Sequence, residues 1–161
     1  MPSQTRIEAA PDLEELAHRA ARWITDLAGR SNGRFAICLS GGSTPRRLYQ
    51  LLAAAPYREA MPWDRVHWFW GDERFVPWDH PDSNYRMARE ALLAHVPAPT
   101  QNIHGIATTG DPAGAARDQK RRVPAAFERR IGQGDAHLRL GADHLGDPAL
   151  AFLQDFRPRK Q

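Results

Sequence analysis

Six residues that close an apolar run, Ser40-Gly41-Gly42-Ser43-Thr44-Pro45, have the composition of an anion cradle. Two glycines let backbone N–H groups approach a ligand that a side chain would hold off. Pro45 suits the first turn of a helix. A helix starting there presents free N–H groups and a partial positive charge, which together favour a phosphate. Ser43 and Thr44 add hydroxyl donors. The pattern is not a Walker P-loop, because no Gly-Lys-Ser/Thr follows, and its glycine spacing is not that of the dinucleotide fingerprint. A plainer reading also accounts for it: a tight strand-to-helix turn that needs glycine for positive φ.

A second group, Gly71-Asp72-Glu73-Arg74, also follows an apolar run. A carboxylate and a guanidinium at a strand end suit sugar hydroxyls and a phosphate respectively. An ordinary surface ion pair is the alternative. The histidines carry less. His67 lies between apolar residues and reads as structural, whereas His80, His95 and His104 lie near turns and His137 and His144 fall in an unpatterned stretch. No pair has metal-ligand spacing of the H-E-x-x-H kind, so no metal is expected. The tryptophans at 23, 63, 68, 70 and 78 gather around one strand and read as core and loop packing. A platform for stacking bases would need a basic groove beside them, and none accompanies them.

Both groups need elements to hold them. Leu13, Leu16, Ala20, Trp23, Ile24 and Leu27 recur at helical spacing over residues 12–28, with Asp12 and Glu15 as a capping pair and Gly29 as a stop. Arg34 to Leu39 reads as a buried parallel strand, and a helix follows from about Pro45 to Ala55. Val66 to Trp70 reads as a second strand. Ser83 can cap a helix reaching about His95, Ile103 to Ile106 can form a short strand, and Asp111-Pro112 can begin another helix. Helices alternating with strands predict an α/β fold: a Rossmann-like parallel sheet with helices on both faces. Ligands bind such sheets beyond the carboxyl ends of the strands, which is where residues 40–45 and 71–74 fall.

Composition bounds the rest. The 161 residues suffice for one domain with a core, at 42% hydrophobic and 25% charged content. No run of 18 apolar residues occurs, so no membrane span is expected, and residues 1–10 lack the apolar region of a secretory signal. Cys38, the single cysteine, reads as buried filler. A cytoplasmic location fits. Residues 1–117 balance 13 arginines against 13 acids, so the net +3 sits wholly in residues 118–161, which hold 9 basic and 6 acidic residues. The front part therefore gives no case for nucleic-acid binding.

Leu39-Ser40-Gly41-Gly42-Ser43-Thr44-Pro45, Trp70-Gly71-Asp72-Glu73-Arg74-Phe75-Val76-Pro77 and Asp82-Ser83-Asn84-Tyr85-Arg86-Met87, in that order and with those gaps, resemble the 6-phosphogluconolactonases. Gln101-Asn102-Ile103-His104 resembles that family's next short strand, so the likeness covers about residues 5–117. The related hexosamine-6-phosphate deaminases share the glycine turn but usually not the Gly-Asp-Glu-Arg form. The resemblance implies a reaction without metal or cofactor: hydrolysis of 6-phospho-D-glucono-1,5-lactone, a small phosphosugar lactone, in the pentose phosphate pathway. It implies that Gly41, Gly42, Ser43 and Thr44 line the substrate pocket, that Arg74 holds the phosphate, and that Asp72 contacts the sugar or supports the catalytic group. Partners that are nucleic acid or membrane are not expected.

After Arg117 the texture changes. Residues 118–161 carry both lysines, Lys120 and Lys160, and no convincing strand period. The resembled family has a later Gly-x-Gly-x-Asp-Gly-His-Thr-Ala-Ser-Leu-Phe stretch whose histidine is the expected base. Here Leu140-Gly141-Ala142-Asp143-His144-Leu145-Gly146-Asp147-Pro148 stands instead, and no catalytic role is carried over to His144. The chain thus divides into a phosphosugar-binding α/β part, 1–117, incomplete at its C-terminal end, and an atypical basic tail, 118–161. A shift of reading frame near residues 117–120 accounts for the change, and fails if no frame of the coding DNA encodes a family-like continuation. Without an identifiable base, a contribution of typically ~10²–10⁴-fold to the rate is missing, so low turnover is expected. Two other readings stand beside the lactonase: a phosphosugar isomerase or deaminase of the same fold, and a non-catalytic phosphosugar-binding module.

Overall fold

A computed structural model of the chain describes residues 10–122 and 150–152. Helix α1 spans Leu13–Arg30. Its N-cap is Asp12, whose carboxylate accepts from the Glu15 N–H at 2.8 Å. Glu14 and Glu15 in the first turn and Arg30 in the last complement the helix dipole. Ala17, Ala20, Ala21, Ile24, Leu27 and Ala28 form its buried stripe. Strand β1, Phe35–Leu39, follows, then α2, Ser43–Leu52, the short α3, Tyr57–Ala60, and strand β2, Val66–Trp70.

Helix α4, Asn84–Ala88, continues without a break into a π-helical turn, Arg89–Leu93. A 3-10 turn at Thr100–Asn102 leads into β3, Ile103–His104, followed by α5, Pro112–Arg122, and β4, Leu150–Phe152. Helix α2 begins two residues before Pro45, because Gly42 takes the N-cap and proline sits in the first turn as its third residue. Strand β3 is shorter than the run to Ile106. Helix α3 carries no buried residue, so it leaves no apolar period to be read. Helix α5 runs across the 117/118 boundary, and β4 lies in the stretch where no strand period is legible.

The four strands are all parallel, in the order β3-β2-β1-β4. The chain steps outward from β1 to β2 and β3, then returns to the other side of β1. The strand order therefore reverses beside β1, and in open α/β sheets ligands sit at such a switch point. In β1 and β2 the register pairs Phe35 with Val66, Ile37 with Trp68 and Leu39 with Trp70. These six side chains share one face and enter the core with residues of α1, α2 and the 84–93 helix. Ala36, Cys38, His67 and Phe69 alternate onto the other face. The arrangement is the Rossmann-like α/β sheet that the order of elements predicts.

Candidate functional site

The glycine turn leaves the carboxyl end of β1. Tyr49 of α2, fully buried, fixes its start: the phenol accepts from the Ser40 N–H and donates to the Ser40 carbonyl, both at 3.0 Å. Burial pushes the Tyr49 hydroxyl well above its ordinary pKa, so it stays a donor. Gly42 has φ 111°, which a side chain would strain, and is the N-cap of α2 without a side-chain cap bond. The first helical bond is Arg46 N–H to the Gly42 carbonyl, 3.2 Å. By helix geometry the N–H groups of Ser43 and Thr44 have no acceptor within α2. No acid occupies that first turn. The end therefore keeps its partial positive charge for an anion.

Next to it, the 71–74 loop leaves the carboxyl end of β2. Gly71 donates its N–H to the Leu39 carbonyl at 3.0 Å, so the two loops depart side by side. The Glu73 carboxylate is wholly engaged with backbone and a hydroxyl. It accepts from the N–H groups of Arg74 (2.7 Å), Asn84 (2.8 Å) and Tyr85 (2.7 Å) and from Ser83 Oγ (3.2 Å). A carboxylate on the open N–H groups of a helix end is a charge-assisted cap, and here it ties the loop to α4. Asp72 and Arg74 flank it with exposed side chains. Among the described residues Arg74 forms no ion pair with either acid and no side-chain hydrogen bond. An ordinary surface ion pair, the alternative reading of this loop, is not formed among the described residues.

Asn84 joins the two loops. Its buried carboxamide donates from Nδ2 to the Asp72 carbonyl at 3.2 Å and packs against Gly41. A Cβ on Gly41 would stand 2.0 Å from Asn84 Oδ1, which explains a glycine there on grounds separate from φ. Trp78 stacks on Tyr85 with centroids 4.4 Å apart, and its indole donates to the Ile106 carbonyl at 2.9 Å, closing the 75–82 loop over the end of β3.

The structure thus brings Gly41, Gly42, Ser43 and Thr44 to the strand edge that also carries Asp72 and Arg74. Sequence reasoning missed Tyr49, Glu73 as a cap, and Asn84. The Ser83-Asn84-Tyr85 run was legible as a helix start, but nothing local shows that a carboxylate ten residues earlier shares the cap. Cys38 is buried, and burial with the nearby Asp72 charge pushes its thiol up to about 12, so it is inert. His67 Nδ1 and His104 Nε2 lie 3.1 Å apart, hydrogen-bonded across β2 and β3. No cluster of three or more metal-ligating side chains occurs among the described residues. His137 and His144 lie outside the described residues, as does the Leu140–Pro148 stretch.

An α2 N-terminus without a side-chain cap and a guanidinium unpaired among the described residues stand at adjoining strand ends of a Rossmann-like parallel sheet. The chain belongs to the family described as glucosamine-6-phosphate isomerases/6-phosphogluconolactonase, which it matches over residues 11–144. It is 43% identical over 131 residues to a 6-phosphogluconolactonase of a Nostoc species, covering 79% of this chain and 53% of that protein. It is 46% identical over 123 residues to a 6-phosphogluconolactonase of a Synechocystis species, covering 74% of this chain and 50% of that one. A crystal structure described as a devB protein superposes with a TM-score of 0.69 at 32% identity, over 73% of this chain and 50% of the other. The chain spans about half the length of the curated relatives it matches.

Proposed function

We propose that the protein hydrolyses 6-phospho-D-glucono-1,5-lactone to 6-phosphogluconate, in the cytoplasm and as part of the pentose phosphate pathway. The observation that carries this reading is the pairing at one strand edge of the uncapped α2 N-terminus with the exposed Arg74, which has no partner among the described residues. The family name covers two reactions. The relatives at 43% and 46% identity bear the lactonase name, which favours hydrolysis over isomerisation or deamination.

Arg74 holds the phosphate, as a fork of donors matched to its oxygens. Gly41, Gly42, Ser43 and Thr44 line the pocket for the sugar ring. Asp72, exposed at the same edge, contacts the sugar hydroxyls or orients the base. Binding the remote phosphate places the lactone carbonyl for attack by water, and backbone N–H groups at the turn are donors for the developing oxyanion. A general base must take the proton from that water. No histidine stands in 40–45 or 71–74.

The test is a pH-stat assay of the chain with the lactone, run beside glucosamine 6-phosphate. Hydrolysis above the spontaneous rate, inhibited by 6-phosphogluconate, supports the reading. Turnover of glucosamine 6-phosphate alone overturns it in favour of the other reaction. Saturable binding of 6-phosphogluconate without turnover of either compound makes the chain a binding module.

A further inference from the structure

We propose that Asn84 is the positioning residue of this edge: its carboxamide, wedged between Gly41 and the Asp72 carbonyl, sets the spacing of the glycine turn and the Asp72–Arg74 loop. Three observations carry this. The side chain is buried at 7% exposure, although amides are usually exposed. Its Nδ2 donates to Asp72 O at 3.2 Å, which spans twelve residues. Its Oδ1 lies where Gly41 has no room for a methyl group, 2.0 Å from the place a Cβ would take. The Asn84 N–H meanwhile donates to Glu73 Oε1 at 2.8 Å, so the main chain that aims the amide is tied to the same loop. One residue thereby touches both strand-end loops, which the β1–β2 ladder and the Gly71 N–H also link.

The physical consequence is specific. Ser43 and Thr44 follow Gly41 directly, and Arg74 follows Asp72 by two residues. A ligand that bridges the helix end and the guanidinium needs both held at one separation, and a misplacement of about 1 Å is costly to such a site. An aspartate at 84 keeps the shape but turns an acceptor toward the Asp72 carbonyl, leaving a buried repulsion where a bond stood.

Asn84→Asp is read in two ways. Amide hydrogen exchange is expected to rise about tenfold at both Arg46, bonded to the Gly42 carbonyl, and Gly71, bonded to the Leu39 carbonyl, the equivalent of one lost hydrogen bond, with α1 unchanged. By titration calorimetry the Kd for 6-phosphogluconate is expected to rise about tenfold or more. The Asp12→Ala variant, which removes the α1 cap, is the control for lost stability alone: it lowers Tm and moves neither readout. The calorimetric arm rests on the phosphosugar reading, whereas the exchange arm does not. Wild-type protein that ignores 6-phosphogluconate therefore sinks that reading and leaves the exchange result to decide this one. Exchange that rises only in 84–93, or equally everywhere, overturns the proposal, as does an unchanged Kd in a wild type that binds. Should Asn84→Asp not fold, Asn84→Ser, shorter and uncharged, carries the same two measurements.

Discussion

The phenol of Tyr49 holds the backbone of Ser40 from both sides, accepting its N–H and donating to its carbonyl, each at 3.0 Å. One buried side chain thus does for the last residue before the glycine turn what a neighbouring strand would do. Tyr49→Phe removes both partners at once and leaves two buried backbone groups unmet. A loss of about 1–3 kcal/mol in urea unfolding is expected. A loss under about 0.5 kcal/mol, the scale of a neutral surface change, would show that water replaces the phenol.

Glu73 stands in the middle of the motif that reads as ligand-binding, yet its carboxylate is spent on the start of α4. Glu73→Ala is expected to lower stability by about 1–2 kcal/mol, as losing a helix cap does. Glu73→Gln, which keeps one acceptor oxygen, should fall between that variant and the wild type. Thermal melts of the three proteins check the order. An unchanged melt for Glu73→Ala would mean that Ser83, whose Oγ also accepts from the Arg86 N–H at 3.1 Å, caps α4 alone.

Arg74 is the opposite case. Its exposed side chain has no partner among the described residues, so Arg74→Ala should change unfolding free energy by no more than about 0.5 kcal/mol. A clear loss of stability would assign the guanidinium a structural role and weaken its assignment to the phosphate.

These two neighbours show what was legible in the sequence. Periodicity located α1 and the helix from Ser83, and short apolar runs located β1 and β2, whose residues are mostly buried. Asp12 as a cap and Cys38 as core filler were equally plain, since each depends on near neighbours. The turn at Gly41 and Gly42 was legible as a turn, and it merges two demands: positive φ at Gly42 and the Asn84 contact at Gly41. The second could not be read, because it joins residues more than forty positions apart. The ties of Glu73 to Ser83, Asn84 and Tyr85, ten to twelve positions on, were likewise beyond any local pattern. Strand β4 has three residues, too few to display a period.

Partly buried His67 brings a pH dependence. Burial first, and then the positive charge of Arg34, hold His67 below the ordinary histidine value of 6.5. With the folded value depressed, the unfolded chain binds more protons in the window between the two values. Stability is then fully present above about 6.5 and is lost as pH falls through that window. Tm is expected to drop between about pH 7.5 and 5.5, with a shallower drop in His67→Gln. Equal slopes in both proteins would remove His67 as the cause.

The most direct test of the account is titration calorimetry of 6-phosphogluconate into the wild-type chain and into Arg74→Ala at low salt. One saturable site is expected, with Kd raised on the order of 10- to 100-fold in the variant, the weight of a hydrogen-bonded charge. Absence of binding to the wild type, or the same Kd in both proteins, would contradict a phosphosugar site at this strand edge.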